Sequence, residues 1–186
     1  EQQVSGVSSY EASATLSSAD AKKILDELPE NLPEKRRKII ETALSAVGKI
    51  PYHFGDKARH PGFEGNNFGA YSYSDRKGRT KKGLDCSHFV DWVYWTAVGN
   101  NLGNESTVTL KTKGKETNTL KPGDVMVLIR PGSINHTGIF IGYNKKNQMI
   151  FVHESSSSPG NVKVTTGTTF DKSANVTWRN MDQYLK

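Results

Sequence analysis

The feature that most narrows the fold is a change of period near residue 100. Before it, apolar residues recur at helical spacing; after it, they fall in short β runs broken by turns. Ser17 with Asp20 forms a capping pattern ahead of Ile24, Leu25 and Leu28, which predicts a short helix. A second helix is expected after Asn31, with Pro33 in its first turn and Glu34 placed to complete a cap. Ile40, Leu44 and Val47 supply its apolar stripe, and Gly48 its left-handed end. A third is expected from Cys86 to about Val98, with Cys86, Phe89, Val90, Val93 and Ala97 on one face. The β runs are Thr107–Lys111, Asp124–Arg130, His136–Gly142, Met149–Glu154, Val162–Thr166 and Val176–Arg179. Pro122-Gly123, Pro131-Gly132, Asn144–Asn147 and Ser155–Gly160 separate them. Helices first and strands later specify an α+β chain with a largely antiparallel sheet of about five to six strands. There is no internal repeat.

At 186 residues the chain suits one domain with a short arm. Residues 1–17 are Ser-rich and unperiodic, and are expected to form a flexible tail or linker; 18–186 form a single domain. The chain begins at Glu1 rather than Met, so a processed or truncated product is expected. The longest strongly apolar run, Val125–Ile129, is too short to span a bilayer. Residues 56–84 stand apart, with five Gly and four aromatics. Seven basic residues against three acidic give this stretch +4 of the chain's net +6. A long segment without helix or strand pattern in a compact domain is usually functional or disordered, and its charge suits an anionic partner.

One cysteine excludes an internal disulfide and any multi-cysteine metal site. Cys86 follows Asp85, a good N-cap, which places the thiol in the first helical turn. There the free N–H groups and the helix dipole favour a thiolate, with a pKa below the free value of about 8.5. A lone cysteine can equally be an inert buried hydrophobe. The histidines bear on that choice. Alternation puts His136, Gly138 and Phe140 on one strand face, and Met149, Phe151 and His153 on one face of the next. In a hairpin around Asn144–Asn147, Gly138 opposes His153 and Phe140 opposes Phe151. Both imidazoles then share a face as diagonal neighbours, and a one-residue slip would separate them. A thiol needs a base, and the base a third group to orient it. Cys86, His136 and His153 can fill these roles in that order. No HExxH or HxH zinc pattern, GxSxG elbow, GxxxxGK[ST] phosphate loop or GxGxxG fingerprint occurs.

Four segments in order resemble the NlpC family of bacterial cell-wall cysteine peptidases: KIPYHFG (49–55), GLDCSHFV (83–90), LKPGDVMVL (120–128) and NHTGIFIG with MIFVHES (135–155). The resemblance implies a papain-like α+β fold, with the nucleophile helix packed on a central antiparallel sheet. It implies hydrolysis of peptidoglycan stem peptides, between γ-linked D-glutamate and the diamino acid, by Cys86 as nucleophile, His136 as base and His153 as its orienter. Tyr52 matches the family's tyrosine beside the nucleophile, which helps hold substrate. Asp85 and Ser87 match the flanking residues, the aspartate being one that contacts the substrate's amino end. No metal or organic cofactor is implied, and the setting is extracytoplasmic, secreted or bound to the cell wall. A monomer is expected, with no nucleic-acid partner. The alternatives are a CHAP-like N-acetylmuramoyl-L-alanine amidase and an inactive cell-wall-binding module. Two departures stand out. His88 replaces the family's usual Gly, putting a ring where it can crowd or tune the cleft. The 56–84 insertion is longer than usual, and could wall the groove, gate it or grip an anionic wall polymer.

Overall fold

The structure, a computed structural model, describes residues 18–72, 80–129, 131, 132, 135–143, 146–167 and 175–186. The tail expected at 1–17, with its Ser17 cap, lies outside them. Among the described residues, four helices come first: α1 (Ser18–Asp26), α2 (Glu34–Ser45), α3 (Cys86–Val98) and the single turn α4 (Thr107–Leu110). Six strands follow among them: β1 (Lys115–Glu116), β2 (Val125–Leu128), β3 (His136–Tyr143), β4 (Met149–Ser155), β5 (Asn161–Gly167) and β6 (Val176–Asn180). They form one antiparallel sheet in the order β1-β6-β2-β3-β4-β5. The α+β expectation therefore holds, with α2 and α3 packed on the sheet.

One expected strand is a helix. Thr107–Lys111 reads as β because three β-branched residues stand in a row, yet Thr107 and Leu110 are both buried. That i, i+3 spacing suits a helical turn, closed by Leu110 N–H to the Ser106 carbonyl at 3.0 Å. The sixth strand is instead the two-residue Lys115–Glu116, paired with β6. Helix α2 also departs in its ends. Pro33 is the residue before the helix and there is no side-chain cap. The helix stops at Ser45, and Gly48 (φ 75°) lies in the next turn, its N–H donating to Val162 O at 3.0 Å.

Alternating strand residues build two apolar layers. Ile139, Ile141, Ile150, Val152, Val162 and Val164 face the helices, meeting Ile39, Ile40, Phe89, Val90 and Val93. Met126, Leu128, Phe140, Met149 and Phe151 pack with Leu120 on the other face, beside Trp178. In the β3–β4 hairpin Ile139 pairs with Val152 and Phe140 with Phe151, the expected register. Past Phe140 a bulge inserts one residue, so that Tyr143 pairs with Met149. The slip lies on the loop side and leaves the histidine end in phase.

Helix α3 is buried all round from Cys86 to Tyr94, not on one face alone. The 56–84 insertion covers its outer side, and its described residues are ordered turns rather than a structureless loop. Phe63 and Phe68 meet the Trp92 ring edge-on at 5.2 and 6.1 Å between centroids. The Trp92 indole N–H donates to Gly62 O at 2.7 Å, and Gly62 N–H donates to Thr96 Oγ1 at 2.8 Å.

Asp91 lies in this helix, 1% exposed. Burial first, then the Asp85 charge, push its pKa up to about 9, against the pull of Lys113 and the Glu105 N–H. The folded chain thus holds a proton that the unfolded chain releases near 3.8. The stability gained from that proton is full in acid and is lost as pH rises through this window. Asp91→Asn is expected to flatten the decline in urea midpoint between pH 5 and pH 8.5. A variant whose decline matches the wild type's refutes this.

Candidate active site

Asp85 does cap α3. Its backbone is extended (φ −91°, ψ −177°) and Oδ1 accepts the His88 N–H at 3.0 Å. The same oxygen meets His88 Nδ1 at 2.6 Å and accepts from Ser87 Oγ at 3.2 Å, while Oδ2 accepts the Gly55 N–H at 3.1 Å. Burial pushes the carboxyl pKa up, but the His88 ring and these N–H donors carry it below its usual range. The His88 ring is buried against Asp85, with its Nε2 in no hydrogen bond among the described residues.

The cap sets Cys86 at the start of α3, 8% exposed. Its sulfur lies 3.7 Å from Thr107 Oγ1, and the backbone N–H groups of Thr137 and Ser87 donate toward it. The Thr137 N–H belongs to the His136–Thr137 peptide, so the thiol lies against the first residues of β3. The expected low thiol pKa is not what the site shows. Burial is the largest effect and raises it, and the Asp85 charge adds to the rise. Thr107 and the two N–H donors offset this only in part.

His136 and His153 share the face that alternation assigned them. His136 Nε2 meets His153 Nδ1 at 2.7 Å, with the rings nearly perpendicular at 85°. His153 Nε2 meets Thr165 Oγ1 at 3.0 Å. Burial, then the charges of His136 and Lys163, hold the His153 pKa well below its usual value, so this ring is a neutral link. Gly138 makes room for it: a Cβ there would lie 3.1 Å from His153 Cβ.

Tyr52 reaches the site through a parallel bridge to Leu84, and Pro51 through an antiparallel bridge to Asn161. The approach depends on Gly83, where a Cβ would fall 1.6 Å from Pro51 O. Burial, then the charges of Cys86, Asp85 and Glu154, push the Tyr52 hydroxyl pKa up to about 12. It is a neutral hydrogen-bonding group at working pH. Glu154, fully buried and without a hydrogen bond among the described residues, is kept protonated by burial and by Asp85.

Tyr52, Asp85, Cys86, Ser87, His136 and His153 therefore come together. Thr107 and Thr165 join them and are not marked by the sequence motifs. Alternation along β5 places Thr165 opposite Phe151, diagonal to His153, and so offered a signal. Thr107 offered none, since it arrives on a turn read as a strand. Among the described residues, no group of three or more His, Cys, Asp or Glu is placed to hold a metal.

Comparison with known proteins gives the arrangement its relatives. Murein DD-endopeptidase MepS/Murein LD-carboxypeptidase of Escherichia coli K12 is 43% identical over 84 residues, 44% of this chain and 41% of that enzyme. Peptidoglycan DL-endopeptidase CwlO of Bacillus licheniformis is 29% identical over 143 residues, 75% of this chain and 25% of that protein. The matched region thus spans less than half the length of either relative. Among solved structures, the NlpC/p60 domain of peptidoglycan hydrolase SagA aligns with a TM-score of 0.53 at 23% identity, covering 78% of this chain and 98% of that domain. Peptidoglycan hydrolase RipB of Mycobacterium tuberculosis aligns with a TM-score of 0.51 at 19% identity, covering 89% and 68%. Both share the fold. The NlpC/P60 family model matches residues 50–179, the stretch that carries every residue of the site, and the chain belongs to the NlpC/P60 family.

Proposed function

We propose that the protein is a cysteine endopeptidase of peptidoglycan that cuts the stem peptide between γ-D-glutamate and the diamino acid. The observation that carries this reading is a thiol at a capped helix start, against the His136–Thr137 peptide, with His136 backed by His153 and Thr165. In the productive tautomer, His136 Nε2–H donates to His153 Nδ1, and His153 Nε2–H donates to Thr165 Oγ1. His136 Nδ1 then takes the thiol proton as sulfur attacks the scissile carbonyl. The Cys86 N–H receives the developing oxyanion, a contact that typically contributes about 2.7–4 kcal/mol. Collapse of the tetrahedral intermediate breaks the C–N bond, and His136 returns the proton to the leaving amine. Water, deprotonated by His136, then hydrolyses the thioester. Tyr52, Asp85 and Ser87 border the bound stem, Asp85 through the Gly55 turn that it holds.

Peptidoglycan as substrate places the protein outside the cytoplasmic membrane, secreted or bound to the wall. Among the described residues no helix is long and apolar enough to cross a membrane. A second reading is favoured by the MepS match, since that relative is named a DD-endopeptidase. Mass spectrometry of soluble products from purified peptidoglycan separates the possibilities. Stems truncated after D-glutamate are expected. Opened cross-links with intact stems would support the second reading, and free whole stems would mark an amidase. An absence of released amines would leave a wall-binding module.

A further inference from the structure

Two elements that are anchored separately meet at the Cys86 sulfur. Helix α3 carries the thiol and is capped by Asp85. The single turn α4 carries Thr107 and has its own supports. Leu110, 2% exposed, joins the core that α3 shares with the sheet. Its N–H donates to Ser106 O at 3.0 Å, and the Lys111 N–H to Thr107 O at 3.2 Å, which closes the turn. Just beyond, Arg179 of β6 donates from Nε to Lys113 O at 2.8 Å and from Nη2 to Gly114 O at 3.0 Å. Gly114 (φ 67°) lies so close to β6 that a Cβ there would fall 2.2 Å from Asn180 O. The place of Thr107 is therefore set by the core and the sheet, not by the thiol.

Thr107 is 6% exposed, and its Oγ1 lies 3.7 Å from Cys86 Sγ, a hydrogen-bonding distance for the larger sulfur atom. Among the described residues, the sulfur is the one hydrogen-bond partner of this hydroxyl. A hydroxyl both donates and accepts, and its proton turns to suit. It can accept from the resting thiol and donate to the sulfur once the proton has gone. The Thr137 and Ser87 N–H groups beside the sulfur can only donate. Burial has the largest effect on the thiol pKa and raises it. Of the groups that lower it, Thr107 has the largest effect, ahead of the two N–H groups.

We propose that Thr107 is a catalytic residue, whose hydroxyl turns from acceptor to donor at the Cys86 sulfur as attack begins. The inference deepens the cysteine-hydrolase reading above and rests on it for the reaction. In this step the S–H bond breaks and the proton passes to His136 Nδ1. The bonding pair stays on sulfur and goes on to form the C–S bond. Thr107 keeps its own proton throughout and presents it to the sulfur while charge develops there, in a pocket from which water is largely excluded. A hydrogen bond to a charged group changes an equilibrium by about tenfold at the low end of its range, the end that suits a soft acceptor at this distance.

The test compares Thr107→Val, which removes the hydroxyl at nearly the same shape, with Thr107→Ser, which keeps it. Two rates are read on the full chain. One is iodoacetamide labelling of Cys86 at about pH 8, where the rate follows the thiolate fraction. The other is amine release from purified peptidoglycan. Thr107→Val should slow labelling about tenfold and lower kcat about tenfold. KM should stay within about twofold, because Thr107 touches the sulfur and not the substrate. Thr107→Ser should retain most of both rates. Thr107→Ala lacks the hydroxyl without adding a methyl group, and should match Thr107→Val; it decides the question if the valine variant does not fold. Unchanged labelling or unchanged kcat in the variants without a hydroxyl overturns the proposal. So does a loss in Thr107→Ser as large as theirs, which would mark packing alone. Labelling needs no substrate, so the two readings fail separately. Wild-type protein that releases no amines, with labelling still tenfold slower in Thr107→Val, would remove the hydrolase and leave the hydroxyl–sulfur bond standing. Wild-type release that Thr107→Val leaves unchanged would do the reverse.

Discussion

Cys86→Ala is expected to abolish amine release from peptidoglycan while the chain still melts cooperatively. The loss should be on the order of 10⁶-fold in kcat, the scale seen when a hydrolase loses its nucleophile. Stability should change little, about 1 kcal/mol, because one sulfur is removed beneath an intact helix cap. Asp85, not Cys86, closes the first turn of α3, and every Asp85 contact survives the substitution. Cys86 is the only cysteine, so thiol labelling gives a second readout on the same atom. Burial holds the thiol pKa above its ordinary 9.0 in the free protein. Iodoacetamide labelling should therefore still accelerate above pH 9.0, while turnover at neutral pH draws on His136 to remove the proton during attack. His136→Ala should depress turnover at pH 7 far more than it depresses labelling at high pH. Turnover that survives Cys86→Ala would refute the nucleophile assignment. A labelling rate that is flat above neutral pH would refute the buried, protonated thiol.

What the amino-acid sequence made legible here is what short-range geometry controls. Alternation fixes which side of a strand a residue occupies, so His136 and His153 were paired correctly although the hairpin's far end carries an unforeseen bulge. A short acidic side chain before an apolar helical run marks an N-cap, and Asp85 is one. Properties set by packing were not legible. The direction of the Cys86 shift depends on how much water the fold excludes, and helix-start arguments alone point the other way. The 56–84 insertion reads as a loop because its order comes from Asn66 and from contacts with Trp92, not from a period. Its apolar content makes sense once α3 is seen to need covering on both sides. Thr107 was lost to β propensity, which is a weak guide where one turn of chain meets a core.

The largest stability effect is expected at Arg36, which no site argument marks. Arg36→Ala should destabilise the fold by about 3–5 kcal/mol, a large share of the 5–15 kcal/mol that holds a typical domain. Its guanidinium, 2% exposed on α2, donates to Pro122 O at 3.0 Å, to Asp124 Oδ1 at 2.9 Å and to Asp182 Oδ1 at 2.5 Å. Asp124 is fully buried and also accepts the N–H groups of Lys121 and Met181, each at 2.9 Å. Burial already raises the Asp124 pKa with the guanidinium in place, so removing Arg36 leaves a core carboxyl without its counter-ion, which must either stay charged at a cost or take up a proton. The consequence reaches the site through the backbone. Gly123 N–H donates to Phe140 O at 2.8 Å and Phe140 N–H to Asp124 O at 2.9 Å, so the Pro122–Asp124 turn is stitched to β3, the strand that carries His136. Tyr94 of α3 donates its hydroxyl proton to Gly123 O, which ties the nucleophile helix to the same turn. The LKPGDVMVL segment is thus a clamp between the thiol's helix and the histidine's strand, and Arg36 neutralises its one buried charge. If the cost is that of an orphaned charge, adding Asp124→Asn to Arg36→Ala should recover part of the lost urea midpoint. If the double variant is as unstable as the sum of the single losses, the coupling to Asp124 is absent and Arg36 contributes through Pro122, Asp182 and packing. Turnover in the destabilised single variant should fall only with the folded fraction, recovering on cooling, because the clamp positions the site without touching the reacting atoms.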